Sequence, residues 1–170
     1  MGGEVRKKII AWDVAPEQTF FDELFRVSRN QIIWGGNYFN LPPTRCFLVW
    51  RKLTISEKFS MAMAEYAWTS FNSNAKVYEH APQDPTGTRF HPTAKPVDLY
   101  EWVIANYAKP GDTILDPMCG SANCLRACRK TGHKYMGFEI DPVYYEKGKA
   151  ILDAESAQMN IFDFLGGEND

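Results

Sequence analysis

Hydrophobic and polar residues follow different spacings along the chain, and each spacing predicts its own kind of element. Apolar positions after Pro16 recur with helical periodicity, whereas the next apolar runs are short and are separated by Gly-Gly and Pro-Pro pairs. Residues 59–64 leave the choice of element open. The pattern predicts one helix followed by three strands, at residues 17–28, 31–34, 46–50 and 65–71.

Residues 72–93 show little periodicity and are rich in Asn, Pro, Gly and Asp. This composition predicts a long loop, and loops of that length are usually functional or mobile. No helix or strand is predicted in this segment.

The last third of the sequence is more regular. An amphipathic segment ends at Lys109-Pro110-Gly111, a short apolar run leads into a glycine turn, and a second run ends near Pro142. Strand, turn, helix, strand and helix predict the α/β fold class, with a parallel sheet covered by helices. The predicted elements are a helix at 95–107, a strand at 113–116, a helix at 122–130, a strand at 135–140 and a helix from 142.

Composition adds few constraints. A length of 170 residues, 45% of them hydrophobic and 14% aromatic, is typical of one globular domain. The formal net charge is −2, whereas nucleic-acid-binding proteins are usually basic, so the overall charge does not support nucleic-acid binding. No apolar stretch is long enough to span a bilayer and no signal peptide opens the chain, so we expect no membrane partner and a cytoplasmic location.

The cysteines are Cys46, Cys119, Cys124 and Cys128, and none of them forms a C-x-x-C pair. Even together with His133, their spacing matches no familiar zinc pattern. We therefore expect reduced thiols that act as small apolar side chains, and no metal.

Candidate chemistry lies where the strand at 113–116 meets the next helix. The carboxyl ends of parallel strands form the crevice in which α/β proteins bind ligands. Asp116 at the strand tip suits an ammonium group, and Gly120 lets the backbone approach a ligand closely. Ser121 can cap the helix or donate a hydrogen bond.

Glu139 follows Gly120 by 19 positions, at the end of the next predicted strand. An acidic side chain there can accept hydrogen bonds from both hydroxyls of a ribose. The alternative for a single carboxylate is a helix cap, and Asp141 before Pro142 fits that alternative. Positions 123 and 126 are not glycine, so the G-x-G-x-x-G pattern of a nicotinamide-dependent oxidoreductase is missing and another nucleoside ligand is favoured.

Three segments together resemble the β-class DNA amino-methyltransferases, which modify adenine N6 or cytosine N4. They are His-Pro-Thr-Ala-Lys-Pro at 91–96, Ile-Leu-Asp-Pro-Met-Cys-Gly-Ser at 114–121 and Gly-Phe-Glu-Ile-Asp at 137–141. Upstream, Trp12-Asp13 and residues 20–28 and 31–39 resemble the stretch that follows the catalytic motif in phage-type members. The resemblance thus covers the chain after residue 11.

The resemblance implies a Rossmann-like α/β fold and S-adenosylmethionine as the cofactor. By position, Thr93 and Lys95 border the methionine carboxylate, and Glu139 holds the ribose hydroxyls. The positions that line the methionine portion are Asp116, Pro117, Gly120 and Ser121. The implied partner is double-stranded DNA with its target base flipped out of the stack.

One departure from the family pattern bears on catalysis. The catalytic tetrapeptide, [Asp/Asn/Ser]-Pro-Pro-[Tyr/Phe/Trp], is expected before Trp12 and is not there. In Leu41-Pro42-Pro43-Thr44, Leu41 cannot accept a hydrogen bond from an amino group and Thr44 has no ring to stack on a base. The resemblance therefore implies a DNA methyltransferase or a fragment of one, with adenine N6 favoured over cytosine N4 and the catalytic strand missing. The alternatives are a second chain that supplies the motif, or a non-catalytic cofactor-binding relic.

The resemblance divides the domain into a catalytic-half remainder at 12–71, a candidate target-recognition loop at 72–93 and a cofactor-binding half at 94–165. Lys76 and Arg89 in the loop can contact DNA phosphate, and an ordinary surface position is the equal alternative for both. The tryptophans in the predicted strands are expected in the core rather than as base-stacking platforms. They are Trp34, Trp50 and Trp68.

Overall fold

The computed structural model describes residues 14–83 and 90–166, which form two compact units. The first unit extends to Ala81 and the second begins at Pro82. This boundary falls within residues 72–93, the segment that the sequence predicts as a long loop between the two halves of the chain. Each unit has its own sheet.

Over its described residues, 14–81, the first unit contains one α-helix, one short 3-10 helix and a four-stranded sheet. The strands lie in the order β1-β3-β2-β4, where β3 is antiparallel to β1 and β2, and β2 is parallel to β4. The helix and the first three strands confirm the sequence prediction. The elements are α1 (Gln18–Val27), β1 (Ile32–Trp34), the 3-10 helix (Gly36–Tyr38), β2 (Phe47–Lys52), β3 (Ala64–Thr69) and β4 (Lys76–His80).

The prediction that residues 72–93 form a loop throughout was wrong, because β4 lies within them. Its hydrogen bonds come from β2, with Val77 in register with Val49. A strand that pairs with a distant segment satisfies its backbone groups there, so the turn-rich composition around it does not decide its conformation. Residues 59–63, which the sequence left open, are bends and irregular chain before β3.

Alternate residues of β2 form the centre of the first unit. Leu48 is fully buried, and Trp50 is only 2% exposed. Trp68 is 6% exposed, packs edge-on against Phe25 of α1 and donates its indole N–H to the carbonyl of Pro42 at 2.6 Å. The expectation of core tryptophans is confirmed for Trp50 and Trp68, whereas Trp34 is half-buried.

The second unit follows the predicted order of strand, turn, helix, strand and helix. Strands β5 and β6 are parallel, and Asp116 is in register with Gly137 at their carboxyl ends. The elements are α2 (Val97–Tyr107), β5 (Thr113–Asp116), α3 (Asn123–Lys130), β6 (Lys134–Gly137) and α4 (Pro142–Gly166).

Strand β6 ends at Gly137, three residues earlier than predicted. Phe138 still donates its N–H to the carbonyl of Asp116 at 3.0 Å, but its own carbonyl accepts from Cys119 in the turn at 2.9 Å. A side chain at Gly137 would lie 2.5 Å from Cδ1 of Leu125, so α3 packs directly on the strand backbone there. Strand β6 therefore ends where its backbone begins to pair with the glycine turn instead of with β5.

A small apolar core joins α2 and α3. Ile104, Cys124, Ala127 and Cys128 are buried together, with Ile114 of β5 against them. Cys124 and Cys128 therefore act as small core residues, as predicted. Within residues 14–83 and 90–166, no cluster of three His, Cys, Asp or Glu side chains is placed to hold a metal ion, and no helix has the length and apolarity to cross a membrane.

Candidate active site

The site is built around the turn between β5 and α3. Gly120 and Ala122 both have left-handed backbone conformations, with φ of 51° and 59°. Left-handed backbone is easy for glycine and strained for alanine. Ala122 donates its N–H to the carbonyl of Cys119 at 2.8 Å, which closes the turn. The peptide groups between Asp116 and α3 are thereby held in one arrangement.

Glu139 joins this turn to the end of β6. Its Oε2 accepts a hydrogen bond from the N–H of Gly120, and its Oε1 accepts one from the N–H of Asp141, each at 2.8 Å. A carboxylate oxygen has two acceptor positions, so each oxygen retains one for a ligand. The structure thus brings Glu139 and the glycine turn together at the carboxyl ends of β5 and β6.

Asp116 lies at the tip of β5, and its Oδ1 accepts the N–H of Met118 at 3.2 Å. Burial raises the pKa of this carboxyl, against the opposing effects of the Met118 N–H, the Cys124 thiol and the charge of Lys95; the charge of Glu139 raises it further. The anion is therefore only partly compensated by its surroundings. A cationic group placed beside Asp116 would supply the missing compensation.

The segment at 91–96 lies against the same turn. His91 is buried, and its Nδ1 accepts from the N–H of Thr93 at 3.3 Å and lies 3.1 Å from the Thr93 hydroxyl. The carbonyl of Lys95 accepts from the side-chain amide of Asn123 at 2.8 Å, which fixes this segment to the start of α3. Thr93 and Lys95 are thereby held beside the residues that follow β5.

The arrangement can be compared with known proteins. The family of DNA methylases called N6_N4_Mtase matches this chain over residues 14–150. The chain belongs to this DNA methylase family. The resemblance drawn from the three sequence segments is confirmed, and the family uses S-adenosylmethionine.

Relatives in this family cover parts of the chain. It is 34% identical to the type II methyltransferase M.HpaI of Haemophilus parainfluenzae over 93 residues, which are 55% of this chain and 29% of that protein. It is 38% identical to the DNA adenine methyltransferase YhdJ of Escherichia coli K12 over 66 residues, 39% of this chain and 22% of that protein. The matches therefore span less than a third of the length of these two relatives.

Solved structures confirm the Rossmann-like α/β fold of S-adenosylmethionine-dependent DNA methyltransferases. The M1.HpyAVI–SAM complex matches with a TM-score of 0.52 and 23% identity, over 62% of this chain and 60% of that one. The cytosine-N4-specific PvuII DNA methyltransferase matches with a TM-score of 0.50 and 14% identity, over 61% of this chain and 49% of that one. At these identities the likeness concerns the fold alone.

The other predicted site residues of this DNA methylase chain differ in burial and in whether they cap a helix. Pro117 continues the turn after Asp116 and is half-buried, and Ser121 is buried at 5% exposure. Ser121 does not cap α3, because the cap position is Ala122 and no side chain bonds to the helix end there. Asp141 does act as a cap: its Oδ1 accepts the N–H of Val143 at 2.8 Å, as predicted.

Of the two predicted phosphate contacts, one lies within the described residues. Lys76 is an exposed residue at the start of β4 in the first unit. Arg89 lies outside the described residues. Their predicted contact with DNA stays a prediction.

Sequence reasoning missed two contributors to the turn. A methyl group added to Gly120 would lie 3.3 Å from the ring of His91, and one added to Gly148 of α4 would lie 3.1 Å from Cβ of Ala122. His91 begins the quoted family segment and could have been found there. Nothing in the sequence around Gly148 indicates that its helix comes so close to the turn.

Cys119 is the remaining reactive group within the turn. Burial, together with the charges of Asp116 and Glu139, raises the pKa of its thiol to about 11. The thiol is therefore protonated at neutral pH, and a protonated thiol is a poor nucleophile. The site is better suited to holding a ligand than to attacking one.

Proposed function

We propose that this chain is an S-adenosylmethionine-dependent DNA methyltransferase, or the cofactor-binding part of one, that acts on an exocyclic base amine. The observation that carries the proposal is the contact of 2.8 Å between the N–H of Gly120 and the carboxylate of Glu139, in the turn that follows the half-buried Asp116. Asp116 could bind the ammonium group at one end of a sulfonium nucleoside, and Glu139 could bind the ribose. Adenine N6 is favoured over cytosine N4, and the relative named as a DNA adenine methyltransferase supports that preference.

The side chains fit the parts of S-adenosylmethionine by charge and hydrogen bonding. Asp116 would hold the ammonium group, because burial leaves its anion short of positive charge. Thr93 and Lys95 would border the carboxylate, as a hydroxyl and a cation can. The remaining acceptor position on each Glu139 oxygen would take a ribose hydroxyl.

The backbone of the turn completes the proposed site. Pro117, Gly120 and Ser121 would line the methionine portion, with Gly120 in the left-handed conformation that this turn requires. When bound, the cofactor supplies a methyl group on a sulfonium centre. The protein's part is to orient that group and to keep water away from it.

DNA is the proposed partner. A base amine inside a duplex cannot reach the methyl group in line, so the target base would be flipped out of its stack. Lys76 and Arg89 would contact phosphate, and the part of 72–93 outside β4 would read the target. Along the sequence, this segment separates the proposed catalytic-half remainder at 12–71 from the proposed cofactor-binding half at 94–165. The relatives named above come from bacteria, which favours the bacterial cytoplasm as the place of action.

The absence of the tetrapeptide from the 170 residues favours a second candidate. In that case the chain binds S-adenosylmethionine without transferring its methyl group, alone or until a second chain supplies the motif. Both candidates share the same cofactor site. They differ only in methyl transfer.

Two measurements on the 170-residue chain test the proposal. Calorimetry should show binding of S-adenosylmethionine and none of NAD. The affinity should fall about tenfold or more in Glu139→Gln, because an amide loses the charge that accepts the ribose hydroxyls. Glu101→Gln is the matched control, since Glu101 forms an exposed ion pair with Lys130 at 2.8 Å and such pairs contribute little.

The second measurement is transfer of a labelled methyl group to unmethylated DNA, with the modified base identified by mass spectrometry. N6-methyladenine is the expected product. Binding without transfer, even at high enzyme concentration, would leave the non-catalytic candidate. An absence of S-adenosylmethionine binding would refute both candidates.

A further inference from the structure

His91 lies between two segments of the proposed cofactor site, and the proposed function assigns it no role. The side chain is 8% exposed. Its ring packs against Gly120, so that a methyl group there would lie 3.3 Å from Cδ2 and Nε2. Because the same glycine donates its N–H to Glu139, the ring covers a peptide that is also fixed by the proposed ribose ligand.

The bonds of His91 define which nitrogen carries the proton. Nδ1 receives the backbone N–H of Thr93 at 3.3 Å, and a backbone N–H can only donate. Nδ1 must therefore be unprotonated, and the neutral ring carries its proton on Nε2. The Thr93 hydroxyl, 3.1 Å from the same nitrogen, is held beside this acceptor.

The surroundings keep His91 in this form. Burial lowers the pKa of the imidazole and outweighs the charges of Glu139 and Asp141, which raise it; the charge of Lys95 lowers it further. From α4, the ring of Tyr144 packs edge-on with 4.4 Å between ring centroids. At neutral pH the ring is uncharged, and Nδ1 remains an acceptor.

We propose that His91 is a positioning residue for the cofactor, whose neutral ring fixes Thr93 through Nδ1 and covers Gly120 so that both residues face one ligand. The inference rests on the proposed function and goes beyond it, because His91 would act without touching the reacting atoms. Protonation of Nδ1 would remove the acceptor for Thr93. Cofactor affinity should therefore decrease as the pH falls through the lowered pKa of His91.

Two substitutions separate the acceptor from the ring. His91→Phe keeps a ring over Gly120 and has no acceptor, whereas His91→Asn keeps an oxygen near the position of Nδ1 and has no ring. Calorimetry with S-adenosylmethionine should show about tenfold weaker binding for His91→Phe at neutral pH, the effect of one lost buried hydrogen bond. His91→Asn should recover part of this loss. As the pH falls below about 6.5, the ordinary pKa of histidine, the unaltered chain should lose more affinity than either variant, because protonation of Asp116 weakens binding in all three and protonation of His91 only in the first.

The matched control is His133→Asn. His133 follows α3, and its Nδ1 lies 3.0 Å from the Thr131 hydroxyl, so the same chemical change is made away from the turn. This variant should keep both the affinity and the pH profile of the unaltered chain. Circular dichroism checks that each variant is folded.

A measurement on the unaltered chain covers the case in which a variant fails to fold. Nitrogen-15 NMR of the imidazole should show His91 with its proton on Nε2 at neutral pH, and a proton on Nδ1 would overturn the inference. So would His91 variants that keep the affinity and pH profile of the unaltered chain, while the proposed function would still stand. If the unaltered chain binds no S-adenosylmethionine, the proposed function fails and this inference fails with it.

Discussion

The sheet of the first unit and the glycine turn of the second treat charge differently. On β2, Lys52 pairs with Glu65 at 2.7 Å and Arg51 with Glu79 at 2.6 Å, so these charges are satisfied by neighbouring strands. In the turn, by contrast, burial raises the pKa of Asp116. Carboxylates whose pKa is strongly shifted by burial are common at functional sites. The sheet thus pairs its charges, whereas the turn leaves the carboxylate of Asp116 without full compensation, which supports its proposed role in holding the ammonium group.

The largest expected effects come from substitutions in the two cores, which test whether a change in either core weakens cofactor binding at the turn. Leu48→Ala in the first unit and Ile104→Ala in the second remove buried side chains, and each should lower the free energy of unfolding by about 2–5 kcal/mol. Only Ile104→Ala should also weaken S-adenosylmethionine binding, because Ile104 packs on the helix whose Asn123 holds Lys95. Urea unfolding and calorimetry measure the two effects. Equal losses of affinity in both variants would contradict the comparison.

Asp116→Asn should produce the next largest effect, on binding rather than on stability. Loss of the charge opposite the ammonium group should weaken S-adenosylmethionine binding about a hundredfold. Because the folded state raises the pKa of Asp116, the ionised carboxyl destabilises the fold once the pH exceeds the unfolded pKa. The amide should therefore leave the melting temperature at neutral pH unchanged or higher. A clear drop in melting temperature with intact binding would show that Asp116 serves the structure.

A smaller effect concerns the approach of α3 to β6. Gly137→Ala should cost about 1–3 kcal/mol of unfolding free energy, because the added methyl would lie 2.5 Å from Leu125. Gly111→Ala gives the contrasting case, in which any loss comes from the backbone alone: its φ of 89° is strained for alanine, and no atom lies within 4 Å of an added methyl. Thermal unfolding compares the two variants. A Gly137→Ala variant as stable as the original would mean that Leu125 can move aside.

The second unit was predicted well because its signals are local. The apolar runs, Pro110-Gly111 and the glycine turn each act within a few residues, and they gave the order of elements and the position of Asp116 beside the turn. The strand order of the first unit depends on pairing between distant segments, which no local pattern contains. For the same reason β4 was missed: Val77 is in a strand because it pairs with Val49.

Within the site, residue types were easier to predict than their bonds. Glu139 and Gly120 follow from the spacing of strand ends, but the hydrogen bond between them does not. The end of β6 at Gly137 was also out of reach, because it depends on Cys119 taking the place of β5. His91 contacts the turn only because the segment at 91–96 packs on Gly120, and such a tertiary contact is not encoded in a local sequence pattern.

The left-handed Ala122 links the turn to α4 through side-chain size. A non-glycine residue in this conformation costs about 1–2 kcal/mol, and its methyl group occupies space next to Gly148. One methyl group fits between the two backbones, and a second would lie 3.1 Å from the first. Residues 122 and 148 should therefore vary together among related chains, with glycine at one position permitting alanine at the other.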